Sequence, residues 1–88
     1  MKLLFCMACQ DLFKLRQHRF KSCQCGKSKG KYLDELNAIY KGEYAVPIGI
    51  DNMSFCKSLQ KLAGSQKEIG SDFKAFTINK FCKTYVRK

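Results

Sequence analysis

Two short runs near the start of the chain, Phe13-Lys14-Leu15-Arg16 and Arg19-Phe20-Lys21, alternate apolar and basic residues at the two-residue period of a β-strand. A hairpin turning near Gln17 and His18 would place Phe13, Leu15 and Phe20 on one face and Lys14, Arg16, Arg19 and Lys21 on the other. From Gly30 the pattern breaks into strand-like pieces at 31–33, 37–40 and 44–50. Pro47 lies inside the third and has no amide to donate, which assigns that piece to a sheet edge or a bulge. A helix is expected over about 52–63. Asp51 or Asn52 can accept hydrogen bonds from the free amides of its first turn. Phe55, Cys56, Leu59, Leu62 and Ala63 recur at helical spacing, with Lys57 and Lys61 facing solvent, and Gly64 ends the run. A polar loop over 65–72 and a strand over 73–78 come next, and 79–88 reads as a basic tail.

There is no internal repeat and no low-complexity tract, and the single proline leaves no linker, so residues 1–88 read as one domain. Its parts are a cysteine-bearing hairpin over 1–30, strands and one helix over 31–78, and the tail. At 88 residues an apolar core alone gives modest stability, and a metal or disulfide staple is expected.

Six cysteines would allow three disulfides in an exported protein. The start Met1-Lys2-Leu3-Leu4-Phe5-Cys6-Met7-Ala8-Cys9 imitates an export leader, but Gln10-Asp11 interrupts its apolar stretch after about seven residues. No apolar run approaches the roughly 20 residues of a membrane span. The expected location is the cytoplasm of a bacterial or phage-infected cell, where paired thiols more often hold metal than form disulfides.

Cys6 and Cys9 have two residues between them, Cys23 and Cys25 have one, and thirteen residues separate the pairs. Two close thiolate pairs brought together by a hairpin supply the tetrahedral shell that zinc prefers. Gly26, directly after the second pair, can take a left-handed conformation that turns its amide toward a thiolate. Cys6, Cys9, Cys23 and Cys25 are therefore assigned as ligands of one structural zinc ion in an N-terminal zinc ribbon. The single residue in the second pair leaves open a set in which His18 replaces one cysteine, iron in the same site, and the plain alternative of unliganded core cysteines. Four thiolates close the shell and Asp11 is the one acid nearby, so hydrolysis at the metal is not expected. Cys56 reads as a packed core thiol; Cys82 sits beside Lys80 and Lys83 without a histidine or acid to make it a nucleophile.

Formal net charge is +10, and the excess is local: between Lys14 and Lys31 there are seven basic residues and no acid. Lys14, Arg16, Arg19, Lys21, Lys27, Lys29 and Lys31 form the candidate binding surface. Such a surface suits nucleic acid held through its phosphates, with strong salt dependence and little sequence preference. The same charge also suits docking on an acidic host protein or nucleoprotein, and a lysine-rich solvated face is the plain alternative. The two binding readings differ in whether Tyr32, Tyr40 and Tyr44 are exposed for contact; burial in the core is expected. No glycine-rich phosphate loop, Ser/His/Asp set or paired carboxylates appear, which argues against an enzyme and against a small-molecule substrate.

The blocks Met1-Lys2-Leu3-Leu4-Phe5-Cys6, Cys23-Gln24-Cys25-Gly26-Lys27-Ser28, Lys31-Tyr32-Leu33-Asp34 and Val46-Pro47-Ile48-Gly49-Ile50 cover about the first 55 residues. In that order they resemble a group of small uncharacterised bacterial and phage or prophage proteins that begin with a zinc ribbon. The resemblance implies zinc and a microbial or viral source, and it implies no activity. A phage source would favour the reading in which the chain docks on a host protein and modulates it. The fold expected is α+β: the ribbon extended into a small antiparallel sheet with one helix packed on it.

Overall fold

Alternation begins at the second residue. In a computed structural model, which describes residues 1–64 and 70–88, Lys2–Cys6 (β1) places Leu4 and Cys6 inward. Both are fully buried, with Leu3 and Phe5 half-buried on the other side. β1 pairs antiparallel with Leu12–Lys14 (β2) on one side and Ala45–Ile50 (β6) on the other, and Ala75–Thr77 (β7) adds to β6. The order in this first sheet is β2-β1-β6-β7. A second sheet, β3-β4-β5-β8, contains Lys21–Ser22 (β3), Lys29–Tyr32 (β4), Ala38–Lys41 (β5) and Tyr85–Arg87 (β8). Its pairs are antiparallel except β5 with β8, which run parallel. The sheets share one buried cluster: Leu4, Cys6, Phe13 and Leu15 meet Cys23, Ala38, Tyr40 and Tyr85. The class is α+β as expected, with two small sheets in place of one antiparallel sheet.

Several expectations are corrected. The hairpin across Gln17 and His18 does not form. β2 pairs with β1 while β3 pairs with β4, so the two alternating runs belong to different sheets. The segment between them leans on Tyr32, whose amide donates to Arg16 O at 2.8 Å and whose carbonyl accepts from His18 N at 3.2 Å. Phe13 and Leu15 reach the core, whereas Phe20 does not.

Pro47 is in an inner strand, not at an edge. Met1 and Ile50 exchange hydrogen bonds in both directions, so by the alternation of an antiparallel ladder Leu4 and Pro47 form a non-hydrogen-bonded pair. The missing donor thus faces away from β1, at the level where β7 has already ended, and only the Pro47 carbonyl is used, by Ile78 N at 2.9 Å.

The helix, Asn52–Ala63 (α1), has its expected bounds, with Asp51 as N-cap and Gly64 as C-cap. Asp51 caps through its backbone carbonyl, which accepts from Phe55 N and from the Ser54 hydroxyl; its carboxylate makes no cap bond. Asn52 Oδ1 instead accepts from the Met1 ammonium at 2.9 Å. Among the described residues the helix is not packed on a sheet by an apolar stripe: its one buried residue is Ser58, and Leu59 and Leu62 are each about half exposed. Cys56, expected in the core, is exposed, and Lys57 and Lys61 are exposed as expected. Ser58 donates to Ser71 O, and Phe55 meets Phe73 edge-on at 4.8 Å, so α1 is held mainly by the chain that returns from it. Of the loop expected over 65–72, residues 65–69 lie outside the described residues.

The basic tail is a correction as well. Residues 85–87 form β8, and Tyr85 is 1 % exposed in the shared core. Its hydroxyl donates to Leu3 O at 2.8 Å, and its ring meets Tyr40 edge-on at 5.3 Å. Lys2 N donates to Tyr32 Oη at 2.9 Å, a second link from β1 to the other sheet.

Candidate metal centre

Each cysteine pair sits on its own hairpin. Cys6 ends β1, and the turn to β2 carries Cys9; the turn between β3 and β4 carries Cys23 and Cys25. In the first turn Gln10 N donates to Cys6 O at 2.7 Å and Cys6 N to Asp11 O at 2.9 Å, with Gln10 left-handed at φ 61°. In the second, Gly26 is left-handed at φ 77°, as expected, but its amide donates to Cys23 O at 3.1 Å and not to sulfur. The Ser28 amide does reach a sulfur, 3.3 Å from Cys23 Sγ. Gln24 N donates to an Asp11 carboxylate oxygen at 3.1 Å and joins the two turns directly.

The β5–β6 turn braces both hairpins. Tyr44 O accepts from Met7 N at 2.9 Å. Gly42, at φ 123°, lies so close that a Cβ there would strike the Lys27 carbonyl.

This framework brings the four Sγ atoms within 4.8 Å of one another, with Cys23 to Cys25 at 3.4 Å and Cys6 to Cys25 at 3.7 Å. Four thiolates around a tetrahedral ion at about 2.3 Å stand about 3.8 Å apart, so the cluster has the size of a metal shell. The four cysteines are positioned to hold one metal ion. Cys6 and Cys23 are buried, Cys9 is half-buried, and Cys25 is exposed, so such an ion would lie at the rim of the core. His18 is exposed, left-handed at φ 63°, and not among the four.

The surroundings fit anionic sulfur. Ser28 is fully buried and its Oγ has no conventional hydrogen-bond partner among the described residues. Its influence falls on Cys6: that hydroxyl is the largest cause lowering the Cys6 thiol to about 6, joined by the Cys9 and Ala8 amides against desolvation. Cys23 is raised most by desolvation, but the Ser28 amide and the Cys25 and Cys9 thiols bring it below its ordinary value. At Cys25 the Lys27 amide lowers the thiol, yet desolvation and the other three cysteines outweigh it and push it up to about 12. Four neighbouring thiols cannot all ionise without a cation between them, and a divalent ion supplies the missing charge.

The seven basic residues do not share one face. Lys14 is exposed on β2 in the first sheet, and Arg16 and Arg19 are exposed on the connecting segment. Lys21 reaches back over Phe13, 5.9 Å from the ring centre, and Lys27 lies over Tyr44 at 5.4 Å. Lys29 and Lys31 alternate along β4 with Gly30, and Gly30 faces the core beside Tyr40, so both lysines project from the outer face of the second sheet. There they meet two residues that sequence reasoning did not join to them. The ammoniums of Lys29, Lys31 and Lys41 stand 5.5, 4.7 and 5.2 Å from the centre of the Phe20 ring. Register aligns Lys41 with Lys29, a pairing invisible until β4 and β5 are set side by side. Of the three tyrosines, Tyr40 is buried, Tyr32 half-buried and Tyr44 exposed.

At the opposite end of β1 from the cysteines a cavity of about 540 Å³ opens between the sheets, lined among others by Met1, Lys2, Tyr32, Phe76 and Cys82. The Cys82 thiol lies 3.3 Å from the Thr84 hydroxyl, the first cause lowering its pKa. No helix among the described residues is long and apolar enough to cross a membrane. No protein-family model matches the chain, and no curated protein or solved structure matches it either.

Proposed function

We propose that this chain is a small non-catalytic protein in which one zinc ion, held by Cys6, Cys9, Cys23 and Cys25, fixes a lysine-rich sheet face that binds nucleic acid with little sequence preference. Zinc is favoured because four thiolates in a closed tetrahedral shell are its commonest structural site. When bound, it supplies positive charge and a cross-link between hairpins and leaves no open position for water. The observation that carries the binding reading is the convergence of Lys29, Lys31 and Lys41 on one outer face, the first two on β4, which continues from the Cys23–Cys25 turn, and the third on β5 paired with it. Three ammoniums drawn together repel one another, and a polyanion relieves that repulsion.

Elemental analysis of the purified protein should give one zinc per chain, lost when Cys25 or Cys6 is changed to serine and retained in Cys56→Ser. Binding to generic DNA and RNA across a salt series then tests the surface. If three to five phosphates are neutralised, the slope on duplex DNA lies at about −3 to −4.5. Changing Lys29, Lys31 and Lys41 together to alanine should flatten that slope by about 2.5, and Lys14→Ala, on the other sheet, should leave most of it. Absence of binding to any nucleic acid at low salt would overturn the reading and leave the basic face to an acidic protein partner.

A further inference from the structure

We infer that Phe20 is a stacking platform for an unpaired base, which makes single-stranded nucleic acid the preferred ligand of this surface. The inference rests on the nucleic-acid reading above and narrows it.

The run 13–20 sends two of its three large apolar side chains, Phe13 and Leu15, into the shared core. Phe20 lies outside that cluster and half-buried, at the centre of the most basic part of the second sheet. The ring thus has no part in the shared core; the outer face it lies on also carries Ile39, opposite Lys31 and 8 % exposed, but a purely electrostatic surface has no use for an aromatic ring among its lysines. Phosphate binding needs Lys29, Lys31 and Lys41 alone; a π-face in their midst suits a ligand that offers both phosphates and an open aromatic ring. Bases in a duplex are stacked on each other and do not present a free face, whereas those of a single strand do.

The ammoniums now over the ring do not prevent this. At an exposed site one cation–π contact is worth about two- to fivefold in an equilibrium, so the three over this ring together roughly match one stacked base, about five- to hundredfold in affinity, and the phosphate contacts the lysines gain decide the exchange. On binding, the lysines exchange the ring for phosphates of the same strand, and the base takes the ring. The outer positions of β4 and β5 place these three cations within reach both of the ring and of the phosphates of a strand whose base stacks on it.

The test is a titration of zinc-loaded protein with fluorescein-labelled twelve-residue oligothymidylate, oligouridylate and a mixed-sequence duplex, at one fixed salt concentration. Both single strands should bind more tightly than the duplex. Phe20→Leu keeps an apolar side chain without a π-face and should weaken single-strand binding about five- to hundredfold while leaving the duplex unchanged; Phe20→Tyr should bind as the parent does. An independent arm uses the unaltered protein and an oligomer of the same charge with abasic sites in place of bases, expected to lose a similar factor. Single strands bound no better than duplex, or the abasic strand bound as well as the intact one, would overturn the platform and leave the salt-dependent reading standing. No binding of any of these ligands would overturn both. Equal affinities for the thymidylate and uridylate strands support stacking, whereas a preference for uridylate above about tenfold would point to 2′-hydroxyl recognition and overturn it.

Discussion

Tyr85 is the strongest test of how this chain closes its core, because the segment that carries it reads as a tail and folds as a strand. The residue is 1 % exposed, its hydroxyl donates to Leu3 O at 2.8 Å across the two sheets, and its ring stands edge-on to Tyr40 at 5.3 Å. Burial is the first cause raising its phenol pKa, followed by Tyr32 and Tyr40, so the hydroxyl stays protonated and donating across the ordinary pH range. Tyr85→Phe removes the inter-sheet hydrogen bond and keeps the ring, a loss of about 1 kcal/mol. Tyr85→Ala removes the ring too, a loss of about 3–5 kcal/mol, of which the pair with Tyr40 accounts for about 0.5–1.5. For a domain this size 1 kcal/mol shifts the thermal midpoint by roughly 4–8 °C, so the phenylalanine variant should melt about 4–8 °C lower and the alanine variant at least about 12 °C lower. Melting should be followed by circular dichroism at one fixed free zinc concentration, since a ligand bound only to the folded state raises the midpoint by itself. Val86→Ala, at a neighbouring position that is 39 % exposed, is the control and should shift stability by no more than about 0.5 kcal/mol. An alanine variant at 85 as stable as the one at 86 would refute the placement of β8 in the core.

Gly42→Ala should destabilise by at least about 1 kcal/mol, because φ 123° is a strained region for alanine and the new Cβ meets the Lys27 carbonyl; Gly64→Ala, at φ −102° with the Lys61 carbonyl, 4.0 Å away, the nearest atom among the described residues, should change little by denaturant titration. Removal of metal by a chelator should disorder both cysteine hairpins together, seen as joint loss of amide-proton protection at Cys6 and Cys23, since each hairpin supplies half the shell. Asp34 accepts from the Asn37 side chain and from the amides of Asn37 and Leu36, and these bonds, the Asn37 side chain first, lower its pKa. A folded-state value below the unfolded one means this turn stabilises fully above about pH 4 and less as pH falls through the folded value. The stability difference between the parent and Asp34→Ala should therefore be constant near neutrality and shrink in acid, and a difference that grew in acid would refute the assignment.

The readable features of the sequence were those carried by neighbours along the chain. The cysteine pairs announce themselves by spacing, and the helix over 52–63 by its apolar period between Asp51 and Gly64. Strand pairing is a different kind of information. Alternation in 13–16 and 19–21 correctly marks chain in or beside strands, but nothing local says that β2 belongs to β1 and β3 to β4. The same blindness hid the grouping of Phe20 with Lys41, which depends on the register of β5 against β4. Pro47 misleads because an inner strand tolerates it where one neighbour has ended. β8 is three residues in a lysine-rich segment and owes its existence to parallel pairing with β5, which no local signal encodes. On α1 the apolar positions have the right spacing, yet the described residues bring no sheet face against them, so amphipathic pattern predicted a helix and overestimated its burial.

The positions of the cysteines along the chain also order events during synthesis. All four candidate ligands have left the ribosome once residue 25 emerges, whereas β6, which gives β1 its second neighbour, and β8, which seals the shared core, come much later. A nascent chain thus carries the complete set of candidate ligands while the sheets on which the finished core depends are still missing partners. Ion capture at that stage would join two local hairpins early and shorten the search for the distant pairings, which are the slow part of folding a β-rich topology. Metal supply would then govern the yield of folded chains in the cell, beyond the stability of those already made.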